Sequence, residues 1–248
     1  MIWVDDGFEG TPIGPWDSLV EDAVGSTFTY GSTDENKCPF DGSKSGKIIT
    51  VGNDGETYAY LRKDLVSINE RFFRVYIKYI SIAPNGGQVR GIALWHTGFN
   101  FWHPAISVQA RDSGGMLEWF IRYKTNTVTG NATIASPSPE FNKWYCVEIY
   151  YKSHPTEGAI KVWINNDDEA NPDWSLIGQA TDAITCDIIF LGQWTTGWQD
   201  PYEFHVDCAV CGDTFNGLLP DPPENGNGGD IPDSKPTNLI DGFFVVIS

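Results

Sequence analysis

Apolar residues alternate with polar ones, or run together, in short blocks along the 248-residue chain. Residues 72–82 (FFRVYIKYISI), 88–96 (QVRGIALWH), 105–111 (AISVQAR) and 116–123 (MLEWFIRY) are rich in Val, Ile, Phe, Tyr and Trp. The clusters Pro84-Asn85-Gly86-Gly87 and Asp112-Ser113-Gly114-Gly115 punctuate them. This spacing predicts antiparallel strands joined by tight turns. Similar runs predict strands at 47–51, 57–61, 143–152, 159–165, 174–178, 184–194 and 202–211. Residues 1–30 read as one strand and a loop, and 31–46 and 125–142 as polar loops. No 3.6-residue periodicity persists beyond about three turns. The expected fold is therefore all-β: a two-sheet antiparallel β-sandwich spanning residues 1–216. Residues 217–236 (GLLPDPPENGNGGDIPDSKP) have the composition of a linker. Residues 237–248 (TNLIDGFFVVIS) resemble a strand, which cannot fold alone. That tail is expected to dock on its own domain or on a partner subunit.

Charge separates one region from the rest. The chain carries a net charge of −17, yet residues 71–124 hold seven Lys/Arg and two acids, a local balance of 7 − 2 = +5. An acidic chain lacks the basic footprint of a nucleic-acid binder. The apolar runs are too short for a membrane-spanning helix. The residues before Asp5-Asp6 do not read as a signal peptide, so the expectation is either that a leader has been removed or that the protein leaves its cell by another route, such as lysis. An extracellular or virion-surface location is expected. The five cysteines (Cys38, Cys146, Cys186, Cys208, Cys211) are an odd number, and most lie in strand patterns as small apolar residues. Alternation puts Cys208 and Cys211 on opposite faces of a strand, which argues against a metal pair.

Alternation also groups the candidate ligand-binding residues. Phe73, Val75, Ile77 and Tyr79 would face the core, with Arg74, Tyr76 and Lys78 outward. Ile106, Val108 and Ala110 oppose Gln109 and Arg111; Trp119 and Ile121 oppose Glu118, Phe120 and Arg122; Trp95 opposes Ile92 and Leu94. Arg90 and His96 fall at strand ends, where alternation assigns no face. On one sheet these runs would form a basic, aromatic groove of Arg74, Tyr76, Lys78, Trp95, His96, Gln109, Arg111 and Arg122. Guanidinium groups clamp carboxylate or sulfate, and aromatic faces stack on sugar rings. Trp102 and the 194–198 loop read equally as further aromatic subsites or partner-chain contacts and as a cap closing the end of the sandwich. The expected ligand is a polysaccharide or surface glycan.

The order of several segments resembles a known family. These are Asp5-Asp6-Gly7-Phe8-Glu9-Gly10 with Trp16; residues 42–49 (GSKSGKII); Trp144-Tyr145 followed by Val147-Glu148-Ile149; residues 159–165 (AIKVWIN); and Phe190-Leu191-Gly192 before a late strand bearing Asp207. Together they resemble the concanavalin A-like lectin/glucanase superfamily of jelly rolls, over about residues 3–215. The resemblance implies a ligand cleft on a concave sheet. It also implies a structural calcium, for which Glu9 and Asp207, with carbonyls of the 41–45 turn, are the matching positions. Some polysaccharide lyases of the superfamily use Arg, Gln, His and Tyr, types that Arg74, Gln109, His96 and Tyr76 supply. The paired strand carboxylates of its hydrolases have no counterpart here. The expected function is non-catalytic glycan binding or adhesion, for instance on a phage virion. A polysaccharide lyase and a purely structural subunit are the alternatives.

Overall fold

A computed structural model describes residues 2–9, 14–32, 44–51, 53–66, 69–82, 88–96, 104–134, 137–198 and 201–219. The described residues form fifteen strands and no helix. They are β1 (Ile2–Asp6), β2 (Ser18–Glu21), β3 (Thr27–Ser32), β4 (Ser45–Thr50), β5 (Asn53–Asp64), β6 (Glu70–Ser81), β7 (Gln88–Trp95) and β8 (Ile106–Asp112). β9 (Leu117–Lys124), β10 (Thr129–Ile134), β11 (Trp144–Lys152), β12 (Gly158–Ile164), β13 (Trp174–Gln179), β14 (Ile188–Trp198) and β15 (Tyr202–Gly212) follow. An eight-stranded sheet runs β13-β12-β11-β6-β15-β4-β3, with β1 also paired to β15; a seven-stranded sheet runs β10-β9-β8-β7-β14-β5-β2. All pairings are antiparallel. The hairpins β7 to β10 stay in one sheet and β11 to β13 in the other, while most remaining links cross the sandwich.

The core lies where the two inner faces meet. Phe73, Val75, Ile77 and Tyr79 of β6, with Tyr145, Val147 and Ile149 of β11, pack in one buried cluster with Ile92, Leu94, Ile106, Val108, Trp119 and Ile121 from the other sheet. Trp119 is fully buried, with ring centroids 5.9 Å from Tyr79 and 5.3 Å from Tyr145, and its Nε1–H donates to the Pro137 carbonyl. An indole placed this way needs that partner, because a buried donor left unpaired is costly.

The structure departs from the sequence reading at four strands. β2, β3 and β10 occupy stretches read as loops. All three sit at or next to sheet edges, where a strand pairs on few sides and needs little apolar sequence. β10 (TGNATI) is mostly exposed or half-exposed, and Gly130 lies beneath the Tyr123 ring, where a Cβ would stand 2.3 Å away. The larger correction concerns β6. It is not in the sheet of β7, β8 and β9, so the Pro84–Gly87 cluster does not mark a hairpin within one sheet. β6 is buried on both faces in the middle of the other sheet, which its nearly unbroken apolar run already reflects.

The described cysteines, Cys146, Cys186, Cys208 and Cys211, are all free and buried. Cys208 takes φ +50° where the β15 register shifts between Asp207 and Val210. Cys208 packs outward against Tyr76 and Cys146, while Cys211 joins the core. Burial pushes the Cys211 thiol up to about 12, so it stays protonated and inert. A melting curve in reducing agent is expected to overlay the one without it.

Candidate functional site

The outer face of the seven-stranded sheet gathers four of the nine expected ligand-binding side chains. Arg111 and Gln109 from β8, Phe120 and Arg122 from β9, and Trp95 from β7 stand here. The pairs Arg111 with Glu118, Gln109 with Phe120, and Ser107 with Arg122 set their rows. Arg111 forms an ion pair with Glu118 across the strands and stacks over Phe120 at 4.0 Å. Arg122 lies over the same ring at 5.6 Å and donates through Nη2 to Gln88 Oε1 at 2.8 Å.

Arg90 joins this group through a bulge. Simple alternation from Ile92 would aim it at the core. The register shifts between Arg90 and Ile92, however, and Gly91 takes the inward position: a Cβ on Gly91 would meet Ile77 Cδ1 at 2.2 Å. Arg90 is thereby turned outward, paired with Gln109 and 5.8 Å over the Trp95 ring. The strand ladder between β14 and β7 ends at Leu191–Ile92, and the Gln193 side chain takes over. Its Oε1 accepts from the Arg90 amide and its Nε2 donates to the Gln88 carbonyl. The signal in the sequence is the Arg-Gly pair inside a strand, a mark of a bulge.

The guanidinium groups of Arg90, Arg111 and Arg122 therefore stand near one another on this face, with Glu118 paired to Arg111. Burial, with the Arg122 charge behind it, pushes Arg90 down to about 9, so it is still a cation at neutral pH. Burial and the Arg111 charge lower Arg122 in the same sense. The amides and guanidinium here are incompletely satisfied. Gln109 is fully buried and its Nε2 donates to Ser107 Oγ at 3.0 Å, but its Oε1 has no hydrogen-bond partner among the described residues. Arg122 Nε is a second buried atom without one. Beside this polar half lies an aromatic half: Trp95, Phe190, Tyr60, Tyr58 and Trp194 form one cluster. Arg111, Glu118 and Arg122 are partly open to solvent.

Other expected site residues lie elsewhere. Arg74, Tyr76 and Lys78 project from β6 on the outer face of the eight-stranded sheet, on the far side of the sandwich. That face is covered. Arg74 Nη1 donates to the Gly217 carbonyl, and the Tyr76 hydroxyl accepts from the Leu219 amide. The chain thus remains docked through Leu219, past the expected start of the linker at 217. His96 follows β7, and six residues at roughly 3.3 Å each separate it from Arg90 by about 20 Å. Its Nδ1 lies 2.7 Å from Thr185 Oγ1 and 3.0 Å from the Thr185 carbonyl. Trp102 and residues 237–248 lie outside the described residues.

Glu9 Oε1 accepts from the Lys44 amide, and Lys44 Nζ donates to the Glu9 carbonyl, a charge that would repel a metal ion. Asp207 is fully buried and its Oδ1 accepts from the Cys208 amide. Among the described residues no three His, Cys, Asp or Glu side chains gather as a metal-binding group. Residues 41–43 of the turn lie outside the described residues.

No family model and no curated protein sequence matches the chain. Solved structures do. Cip1, a cellulose-induced protein, is similar with a TM-score of 0.56 at 15% identity, over 87% of this chain and 99% of its own. Alginate lyase AlgAT5 of polysaccharide lyase family 7 gives 0.51 at 13% identity, over 79% and 85%. Alginate lyase PA1167 from Pseudomonas aeruginosa gives 0.50 at 8% identity, over 68% and 83%. At such identities the likeness establishes the architecture alone: with two antiparallel sheets packed face to face, this chain has a jelly-roll sandwich fold like theirs.

Proposed function

We propose that the outer face of the seven-stranded sheet binds an acidic polysaccharide. The observation that carries this reading is the crowding of Arg90, Arg111 and Arg122, with Glu118 paired to Arg111, in a chain of net charge −17. Mutually repelling cations on a half-buried face are stabilised by a bound anion. The partly exposed guanidinium groups of Arg111 and Arg122 donate to carboxylate oxygens, which a uronate ring offers. The neighbouring aromatics supply a stacking surface. The test is binding of polygalacturonate and polymannuronate against a neutral glucan, followed by calorimetry. Binding of the polyuronates alone, weakening as salt rises, is the expected result. Equal binding of the neutral glucan would sink the reading.

A lyase acting on the same ligand is a second reading, favoured by the arginine and glutamine groups able to neutralise a uronate carboxylate. It also requires a base. Tyr76 lies on the opposite sheet, His96 is distant, and burial raises the Tyr60 phenol, keeping it protonated. Ultraviolet absorbance from unsaturated products in the same assay would move the protein to this class. A calcium at Glu9 and Asp207 stands as a separate proposal: a melting temperature that falls on chelation and recovers with calcium would support it.

A further inference from the structure

The outer face of the eight-stranded sheet holds a clasp that none of the binding chemistry uses. After β15 the chain folds back, and residues 213–219 cross β6, β11 and β12. Glu148, on β11, is 1% exposed. Its Oε1 accepts from the Asn216 backbone amide and from Asn216 Nδ2, and its Oε2 accepts from the Gly217 amide, all at 2.9 Å. Arg74, paired with Glu148 across the strands, donates to the Gly217 carbonyl at 3.1 Å. Gly217 is thus gripped at both its N–H and its C=O by opposite charges. It has φ +63°, a conformation that glycine adopts without strain. Phe215 then packs on Trp163 at 5.0 Å and Phe72 at 6.0 Å.

We infer that Asn216–Gly217 is a modification site, a deamidation latch that Glu148 keeps closed. Asparagine followed by glycine is chemically labile because no side chain hinders the following nitrogen. The Gly217 nitrogen attacks the Asn216 side-chain carbonyl carbon and loses its proton, and ammonia leaves with the side-chain nitrogen. One water then opens the cyclic imide, at either carbonyl, to aspartate or isoaspartate. In the clasp both reacting groups are held: the Gly217 N–H and the Asn216 amide are bound to the two oxygens of one carboxylate. Cyclisation has to break these bonds, so it proceeds from the released strap.

The product cannot return to the clasp. An aspartate at 216 would set a second carboxylate against Glu148 in a buried site, where two like charges cannot both ionise. An isoaspartate adds a methylene to the backbone and carries Gly217 out of register with Glu148 and Arg74. Release uncovers Phe72, Tyr150 and Trp163, an aromatic patch on the back of the domain.

The experiment follows residue 216 by peptide mapping during incubation at mildly alkaline pH, beside a synthetic peptide of residues 213–219. The expected result is deamidation at least about tenfold slower in the folded chain, the protection that a stable closed segment confers. A second measurement compares hydrogen exchange in Asn216→Asp and wild type. Exchange at residues 215–219 is expected to rise about tenfold or more, with the β11 amides unchanged. Deamidation in the folded chain at the peptide's rate would overturn the latch. So would an Asn216→Asp variant whose strap stays as protected as the wild type.

Discussion

Glu148→Ala is expected to destabilise the protein by about 3–5 kcal/mol, the usual result of removing one member of a buried charged network. Three N–H donors would lose their acceptor, and the nearly buried Arg74 would lose the charge facing it. Release of residues 213–219 limits the loss, because the freed donors then reach water. Glu148→Gln keeps one acceptor oxygen and should cost only about 1–2 kcal/mol. The two variants also differ in pH dependence. Burial raises the Glu148 carboxyl, outweighing the amides of Asn216 and Gly217 and the charge of Arg74 that pull it down. A group whose folded pKa lies above its unfolded value contributes its stability in full below the unfolded value, about 4.3, and loses it as pH rises through the folded value. Wild type should therefore lose ground to Glu148→Gln as pH climbs from about 4 towards neutrality. Denaturant melts of both proteins at several pH values check this, and a difference that stays constant with pH would refute the assignment.

That network also shows where the sequence stops being legible. The inward alternation of β6, β8, β9 and β11 can be read directly, because each long strand has one face of Val, Ile and aromatic residues matched to the period of two. The sheet to which each strand belongs cannot. β6 and β7 are consecutive, rich in the same residues and separated by turn-forming ones, yet they lie in opposite sheets. Alternation gives a face relative to a strand, never the identity of its neighbour. Hence it groups Gln109, Arg111, Arg122 and Trp95 correctly, while it assigns Arg74, Tyr76 and Lys78 to a groove on the wrong side of the molecule. The burial of Glu148 is hidden for the same reason. What covers it is a seven-residue segment with linker-like composition, docked by hydrogen bonds to Glu148, Arg74 and Tyr76 that leave no periodic trace. Arg90 is hidden by a single bulge, which inverts the face of every residue beyond it.

The groove makes the sharpest functional prediction. Arg122→Ala should weaken polyuronate binding by about 2–5 kcal/mol, the cost of truncating a desolvated charged contact, which is roughly 30-fold or more in Kd. Stability should change little. Arg122 is partly exposed, and its removal relieves repulsion felt by Arg90. Arg122→Lys should recover only part of the affinity, since an ammonium cannot present the two parallel donors of a guanidinium. Arg74→Ala is the matched control. It removes the same charge from the opposite face, so it should leave binding intact while loosening residues 213–219. If affinity fell equally for Arg74→Ala and Arg122→Ala, net charge rather than a groove would explain the binding. If Arg122→Ala bound as well as wild type, the three-arginine face would have no part in it. Only loss at Arg122 with retention at Arg74 assigns the polysaccharide to the seven-stranded sheet, and this pair of variants decides that on a folded protein, whichever polyuronate is bound.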